Sequence, residues 1–505
     1  MRGRRRQPLR LTLTELPATA LKLLDELREG KFEHDCGEIK LVQRTSDNPE
    51  SYSGPGVIWR EPDGSLRFKL FAPPDQKNDL IDQLVSGRPL PKLGKIYADE
   101  DHFAFAATTW DGKTWWHDRV LVGRTQPHLN GQTLVTGNLD CLTHSTRPWH
   151  PTAEHSTSFV IRAGNKRDWE WLTDQPIECA SPTGASIRIS AKSLKNEIVL
   201  RIASDVAMAS TWPTRVLEAL HFVRPKPIRQ MLRVETTPER QDITVLRESK
   251  DFHDGNLPPP VETRCAPGAM RALFLKYLGH ILPYDGKGWH PVSAHLHSAF
   301  EASRSSIEGL AVGLCVAVEG IANRLSASEE PAKNLVMPLI VVAKEWAEAN
   351  GIEKPFIDRI EGTLGQLRNL RVKDRLKAAF ENKQVDPALF DKWQHLRNTR
   401  VHCSEMGENG LDHSAIQEIF DELHAVTTFM YQIVFTLIGY EGPYSNYAVH
   451  DFPIGSYPGD IAKSMAEREA RKATEAAARR KDKTKRKAEA APQDSTEAAS
   501  KPTEI

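Results

Sequence analysis

Ile307–Leu325 reads IEGLAVGLCVAVEGIANRL, and its apolar residues return at three- and four-residue steps: Ile307, Leu310, Ala311, Leu314, Val318, Ile321 and Leu325. That spacing is the stripe of a core-facing helix. Working outward, the same grammar recurs. NLVMPLIVVAKEWAEAN predicts a helix ending near Gly351, and PFIDRIEGTLGQLRNL predicts another. Asp386-Pro387 supplies an N-cap followed by proline at the first helical position, opening PALFDKWQHLRNTRVH. A long helix through Ile416, Ile419, Phe420, Leu423, Val426, Met430, Ile433, Val434 and Leu437 should stop at Gly439. Several helices joined by short loops predict an all-α bundle over roughly 265–455, with no strand pattern intruding.

Upstream the texture is different. From about Phe32 to Ser249 short apolar runs such as CGEIKLV, GVIWRE, SLRFKLF, SFVIRA, SIRISA and EIVLRIA alternate with Gly, Pro, Asn and Asp. FAFAATTWDGKTWWHDRVLV reads as a hairpin turning at Asp111-Gly112, with aromatics on both arms. Only TRVLEALHFV breaks the strand pattern with a helix. The expected fold class is therefore α+β and multidomain. A basic arm and short helix (1–30) precede a mostly antiparallel β domain (31–255), which is followed by the helical bundle. The last stretch, 464–505, has almost no large apolar residue and predicts a solvated helix or disorder.

Composition narrows the function classes. The chain has 505 residues, more than one core usually serves, with equal numbers of acidic and basic side chains and net charge +0. A whole-molecule polyanion binder is excluded, so any nucleic-acid site must rest on local charge. No apolar run approaches the ~20 residues that span a bilayer. The six cysteines, scattered and without a CxxC pair, argue against zinc ribbons and disulfide scaffolds. A reducing cytoplasm is the expected setting, with no membrane, metal or cofactor.

Chemistry concentrates in Arg397-Asn398-Thr399-Arg400-Val401-His402. The R-x4-H spacing alone arises by chance, and an Arg and a His near a helix end often do no more than satisfy the terminal carbonyls. Context distinguishes this pair: it closes a helix of a helical region, behind Trp393 and Leu396 as packing residues, with Asn directly after Arg. Metal-independent RNA cleavage needs a proton-transfer group near neutrality and a cation on the phosphate. Histidine and arginine supply these. On a regular helix Asn398 and His402 share a face and Arg397 lies one step round. One histidine does not easily serve as both base and acid, a reason to expect two chains facing each other.

The segment W-x2-L-R-N-x3-H, from Trp393 to His402, resembles the signature of the HEPN superfamily. AVEGIANRL, with Glu319 and Gly320, is similar to an upstream element of its members, and IGYEGPYSNY (Ile438–Tyr447) resembles the end of that domain in ApeA-like abortive-infection proteins. Cys403 stands where the family frequently has glycine. The resemblance implies a metal-independent endoribonuclease acting on tRNA or other cellular RNA. It implies a homodimer through the helical domain, and anti-phage defence set off by a phage-derived trigger. It also implies Arg397, Asn398 and His402 as the catalytic set, with Glu319 and Arg400 in support. Two other readings remain. One is a HEPN-fold module that binds RNA or protein without cleaving. The other is a carbohydrate- or nucleotide-binding enzyme in the β half, which lacks a phosphate-cradling glycine loop and paired carboxylates.

Overall fold

A computed structural model describes residues 16–45, 49–73, 97–127, 132–147, 154–248, 255, 257–262, 267–325, 330–366, 371–401 and 413–489. It divides into two compact units, 1–306 and 307–505.

Among the described residues the first unit holds thirteen antiparallel strands. Strands β1 (Glu33–Gln43), β2 (Ser51–Arg60), β3 (Leu66–Ala72), β4 (Phe103–Thr109), β5 (Thr114–Pro127) and β6 (Thr133–Leu139) close into a barrel in the order β4-β1-β2-β3-β6-β5, with β5 returning to β4. Closure removes the sheet edges. The alternation in β4 is complete, its burial running buried–exposed from Phe103 to Thr109. The Asp111-Gly112 turn forms as expected: Gly112 adopts φ +81°, and Thr109 N–H donates to the Lys113 carbonyl at 2.9 Å. Helix α1 (Ala18–Glu29) contributes Leu23, Leu24 and Leu27 to the same core as Phe32, Ile39, Phe68 and Trp115.

Strand β5 carries the sheet out of the barrel. Its start, Trp115 and Trp116, also pairs with His144 and Thr143 of β7 (Cys141–Thr146), while its later half pairs with β6. From β7 the sheet continues through β13 (Gln241–Leu246), β12 (Gln230–Thr236), β8 (His155–Arg162), β11 (Glu197–Ser204), β10 (Ser186–Ser193) and β9 (Ile177–Ala180). A short helix α2 (Glu170–Thr173) and α3 (Trp212–Val223) belong to this part, the latter being the expected interruption.

Two helices expected at the head of the C-terminal bundle, α4 (Pro267–Ile281) and α5 (Pro291–Ala302), lie in the first unit instead, so the division falls at 306. Long-range packing accounts for this. Tyr277 stacks on Phe222 of α3 with centroids 4.2 Å apart, and Trp171 meets Phe274 at 5.5 Å. Arg215 of α3, fully buried, ion-pairs with Glu218 and donates to the carbonyls of Gly286 at 2.6 Å and Gly288 at 2.8 Å, in the α4–α5 connection.

The second unit holds α6 (Ile307–Ala322), α7 (Glu330–Ala349), α8 (Lys354–Gln366), α9 (Val372–Glu381), α10 (Pro387–Leu396), α11 (His413–Ile438) and α12 (Gly459–Glu489). The predicted stripe is buried at Ala311, Leu314, Val318 and Ile321, against α10 and α11, and Gly439 ends α11 at φ +59°. The unit is not all-α, as the sequence had predicted. A small hairpin, β14 (Gly442–Ser445) with β15 (Ile454–Tyr457), follows α11, its tyrosines 440, 444 and 457 packed around Phe435. The expected 464–505 tail is helical to Glu489, where its description ends. No helix among the described residues is long and apolar enough to cross a membrane. Residues 1–15, the basic arm, lie outside the described residues.

Candidate active site in the helical unit

Helix α10 positions the segment singled out from the sequence. The Asp386 carboxylate accepts from the Ala388 N–H at 2.9 Å, and Pro387 takes the first position, where no intrahelical donor is lost. Arg468 of α12 holds the same carboxylate in a bidentate grip at 2.6 and 2.5 Å. Leu389, Phe390, Trp393 and Leu396 are buried and fix the rotation of the helix. Trp393 lies against Phe390 (5.5 Å) and Phe429 (6.3 Å), and its indole N–H donates to the Cys315 carbonyl at 3.4 Å. This bond joins α10 to α6, the helix that carries Glu319.

Beyond Leu396 the helix widens into a π turn, Arg397–Val401. This departs from the α geometry assumed for the segment. In an α-helix five residues leave side chains about 140° apart. An i→i+5 turn instead brings residues five apart closer to one face. Such turns are uncommon and are found frequently at functional sites. His402 lies outside the described residues. Arg400 falls in the turn, but its side chain is also outside the description.

Arg397 and Glu319 are brought together, with Nη2 3.7 Å from Oε2 and side chains 40% and 44% exposed. At that distance Glu319 offsets part of the charge without occupying the guanidinium fork as a hydrogen-bond acceptor. The guanidinium carbon sits 5.8 Å from the Trp393 ring centroid, a cation–π contact that directs the arginine along the helix. Asn398 is exposed beside it. Cys315, behind the pair, is buried, and burial pushes its thiol up to about 12, which removes it as a nucleophile at neutral pH.

Sequence reasoning passed over one neighbour of this segment. His395 presents Nδ1 to Oε1 of Glu422 at 2.8 Å, and Lys392 approaches the same carboxylate at 3.9 Å. The contact ties α10 to α11. No local pattern announces it, because Glu422 comes from a helix 26 positions away from Leu396 in the chain. Among the described residues no group of three or more His, Cys, Asp or Glu could hold a metal ion.

Comparison of the chain with protein-family models, with curated proteins and with solved structures finds no match.

Proposed function

We propose that the second unit is a HEPN-type domain and that the protein is a metal-independent endoribonuclease acting as an abortive-infection effector on tRNA or other cellular RNA. One observation carries the reading. An uncommon π turn at the end of a well-anchored helix holds Arg397 beside Glu319, with Asn398 exposed next to it. In this reading Arg397 neutralises the charge building on the scissile phosphate, and His402 moves the proton between the 2′-hydroxyl and the leaving 5′-oxygen. Glu319 orients the arginine, and Arg400 adds a second phosphate contact.

A homodimer supplies the second histidine. The helical unit has a surface suited to such pairing. On α7 the residues Leu335, Leu339, Val342 and Trp346 form an exposed stripe, 74%, 48%, 60% and 59% accessible, on the side away from buried Val336, Ile340 and Ala347. A contiguous exposed apolar face of this kind is characteristic of an interaction site.

A non-catalytic binding module is the second reading, favoured by the fact that Arg397 already has structural partners in Glu319 and Trp393. The two separate on incubation of total cellular RNA with the purified protein in EDTA. Cleavage predicts discrete fragments from the wild type and at least about 100-fold less from Arg397→Ala and His402→Ala. RNA left intact even with phage components added, or cut equally by both variants, would remove the catalytic assignment and leave the binding module.

A further inference from the structure

The first unit contains a cavity of about 420 Å³ between α3, α5 and the β8–β12 face, well inside the size range of small-molecule sites. Its walls are mostly apolar and aromatic. Trp289 lies flat on His297, with centroids 4.4 Å apart and planes 14° from parallel, yet the tryptophan remains 40% exposed. His221 stands edge-on to Phe300 at 4.5 Å and to His297 at 5.3 Å. Phe159, Pro213, Leu217 and Ile228 add apolar surface, and the charged side chains of Glu218, Arg229, Arg233, Glu235 and Glu301 also line the cavity.

Set in this wall are two buried ring nitrogens with no hydrogen-bond partner, His221 Nε2 and His297 Nδ1, while Arg233 Nε lies 3.6 Å from a Glu235 carboxylate oxygen. His221 as a whole is only 8% exposed. Buried polar atoms are normally satisfied, so two orphans lining one cavity point to a ligand that satisfies them. Burial pushes the His221 ring down to about 3 and also lowers His297, so both are neutral at pH 7. A neutral imidazole offers one donor and one acceptor nitrogen. The Gln230 amide, also lining the cavity, offers both as well. The carboxylates lining the cavity are already engaged: Glu218 by Arg215, Glu301 by Arg304 at 2.8 Å and Glu235 by Arg233 at 3.6 Å.

We propose that this cavity binds a free nucleoside or nucleotide, its base stacked against the Trp289–His297 wall and its donor–acceptor edge read by His221 and His297. Two features select this class. A flat ring suits the stacked aromatic wall. Neutral imidazoles with one donor and one acceptor each match the mixed hydrogen-bonding edge of a base better than the single-sign demand of an ion. The site is separate from the Arg397 segment and stands whether or not that segment cleaves RNA.

The test is calorimetric titration of the full chain with adenosine, guanosine, cytidine, uridine and their 5′-monophosphates. Indole serves as an apolar ring control and a single-stranded tetranucleotide as a polymer control. At least one nucleoside or nucleotide should saturate at one site per chain and quench tryptophan fluorescence. Trp289→Ala, at a part-exposed position that tolerates truncation, should weaken it at least about tenfold. His221→Phe, which keeps a buried ring but removes both nitrogens, should do the same, and His297→Ala serves if that variant does not fold. The proposal is overturned if none of the eight compounds saturates, if the variants bind as the wild type does, if indole binds as well as the nucleosides, or if only the tetranucleotide binds.

Discussion

The two units treat their apolar surface in opposite ways. In the first, a closed barrel and helices α3 to α5 cover the sheet, and among the described residues only Tyr97, Trp110, Val206 and Trp289 are large apolar side chains left exposed. In the second, the helix stripe that predicts the fold is buried, but Val312 and Val316 of α6 and a whole face of α7 remain open to solvent. One unit completes its own packing and spends its irregularity on an inward cavity. The other keeps apolar area outside, and its irregularity, the π turn, lies at the end of a helix. In the two proposals above, the first unit meets other molecules by enclosing something small and the second by covering a face.

The comparison breaks most sharply at Arg215. Its guanidinium is fully buried and satisfied by Glu218 and by the carbonyls of Tyr284, Gly286 and Gly288. Arg215→Ala strands the Glu218 carboxylate in a site where burial already raises its pKa. Removing one partner of such a pair costs about 3–5 kcal/mol. Chemical denaturation of the full chain should show the transition of the first unit shifted by that amount and the second transition unchanged. If both transitions move together, the units are not independent in packing.

The reverse substitution sharpens the other side. Leu335→Glu with Trp346→Glu puts charge on the open face of α7 without touching Val336, Ile340 or Ala347 beneath it. Surface changes away from special features usually alter stability by no more than about 0.5 kcal/mol. Sedimentation at several concentrations should therefore report self-association weakened at least about tenfold at nearly constant stability. A wild-type chain that stays monomeric throughout would assign that face to another partner.

A third effect is smaller and depends on pH. Burial holds the folded His221 ring at about 3, against an ordinary 6.5 once unfolded. Between those values the unfolded chain binds the extra proton. The stability contribution is full above 6.5 and is lost as pH falls toward 3, by about 1.4 kcal/mol per unit in the steep part. Moving from pH 7 to 5.5 should cost the first unit on the order of 1 kcal/mol through this ring. The wild-type denaturation midpoint should thus drop more than that of His221→Phe over the same interval. Equal drops would mean that the ring protonates without unfolding.

What the sequence made legible was local. Asp386-Pro387 specifies its cap, Asp111-Gly112 its turn and Gly439 its stop, because each needs only the backbone preferences of adjacent residues. The stripe from Ile307 is readable for the same reason. Barrel closure is not, since β5, besides its local hairpin with β4, divides its pairing between β6 and β7, which no adjacent-residue preference specifies. The placement of α4 and α5 turns on Arg215 finding carbonyls some 70 positions away. The π turn was missed because the segment has no Gly or Pro to mark a break, and α periodicity is the default reading. Of the candidate active site, Glu319 was named from the sequence in support of Arg397, and the structure sets the two side chains 3.7 Å apart. The His221 cavity was invisible, as its lining is drawn from residues 159 to 301.

The smallest expected effect tests whether the second unit keeps Arg397 for packing or for chemistry. The Arg397–Glu319 pair is long and about 40% exposed on both sides, and exposed pairs of this kind are worth about 0–1 kcal/mol. Glu319→Gln should leave the denaturation midpoint of the helical unit within that range. It keeps side-chain volume and removes only the charge that offsets the guanidinium. If Arg397 is there to meet a phosphate, the substitution leaves the cation less neutralised but less well directed. Cleavage should then fall severalfold while RNA retention at low salt persists, since phosphate contacts dominate such affinity. If Arg397 instead serves the fold, stability should drop by more than about 1 kcal/mol and RNA retention should not depend on position 319 at all. Measuring stability and RNA retention on the same preparation distinguishes the two, because the packing role and the phosphate role move them in opposite proportion.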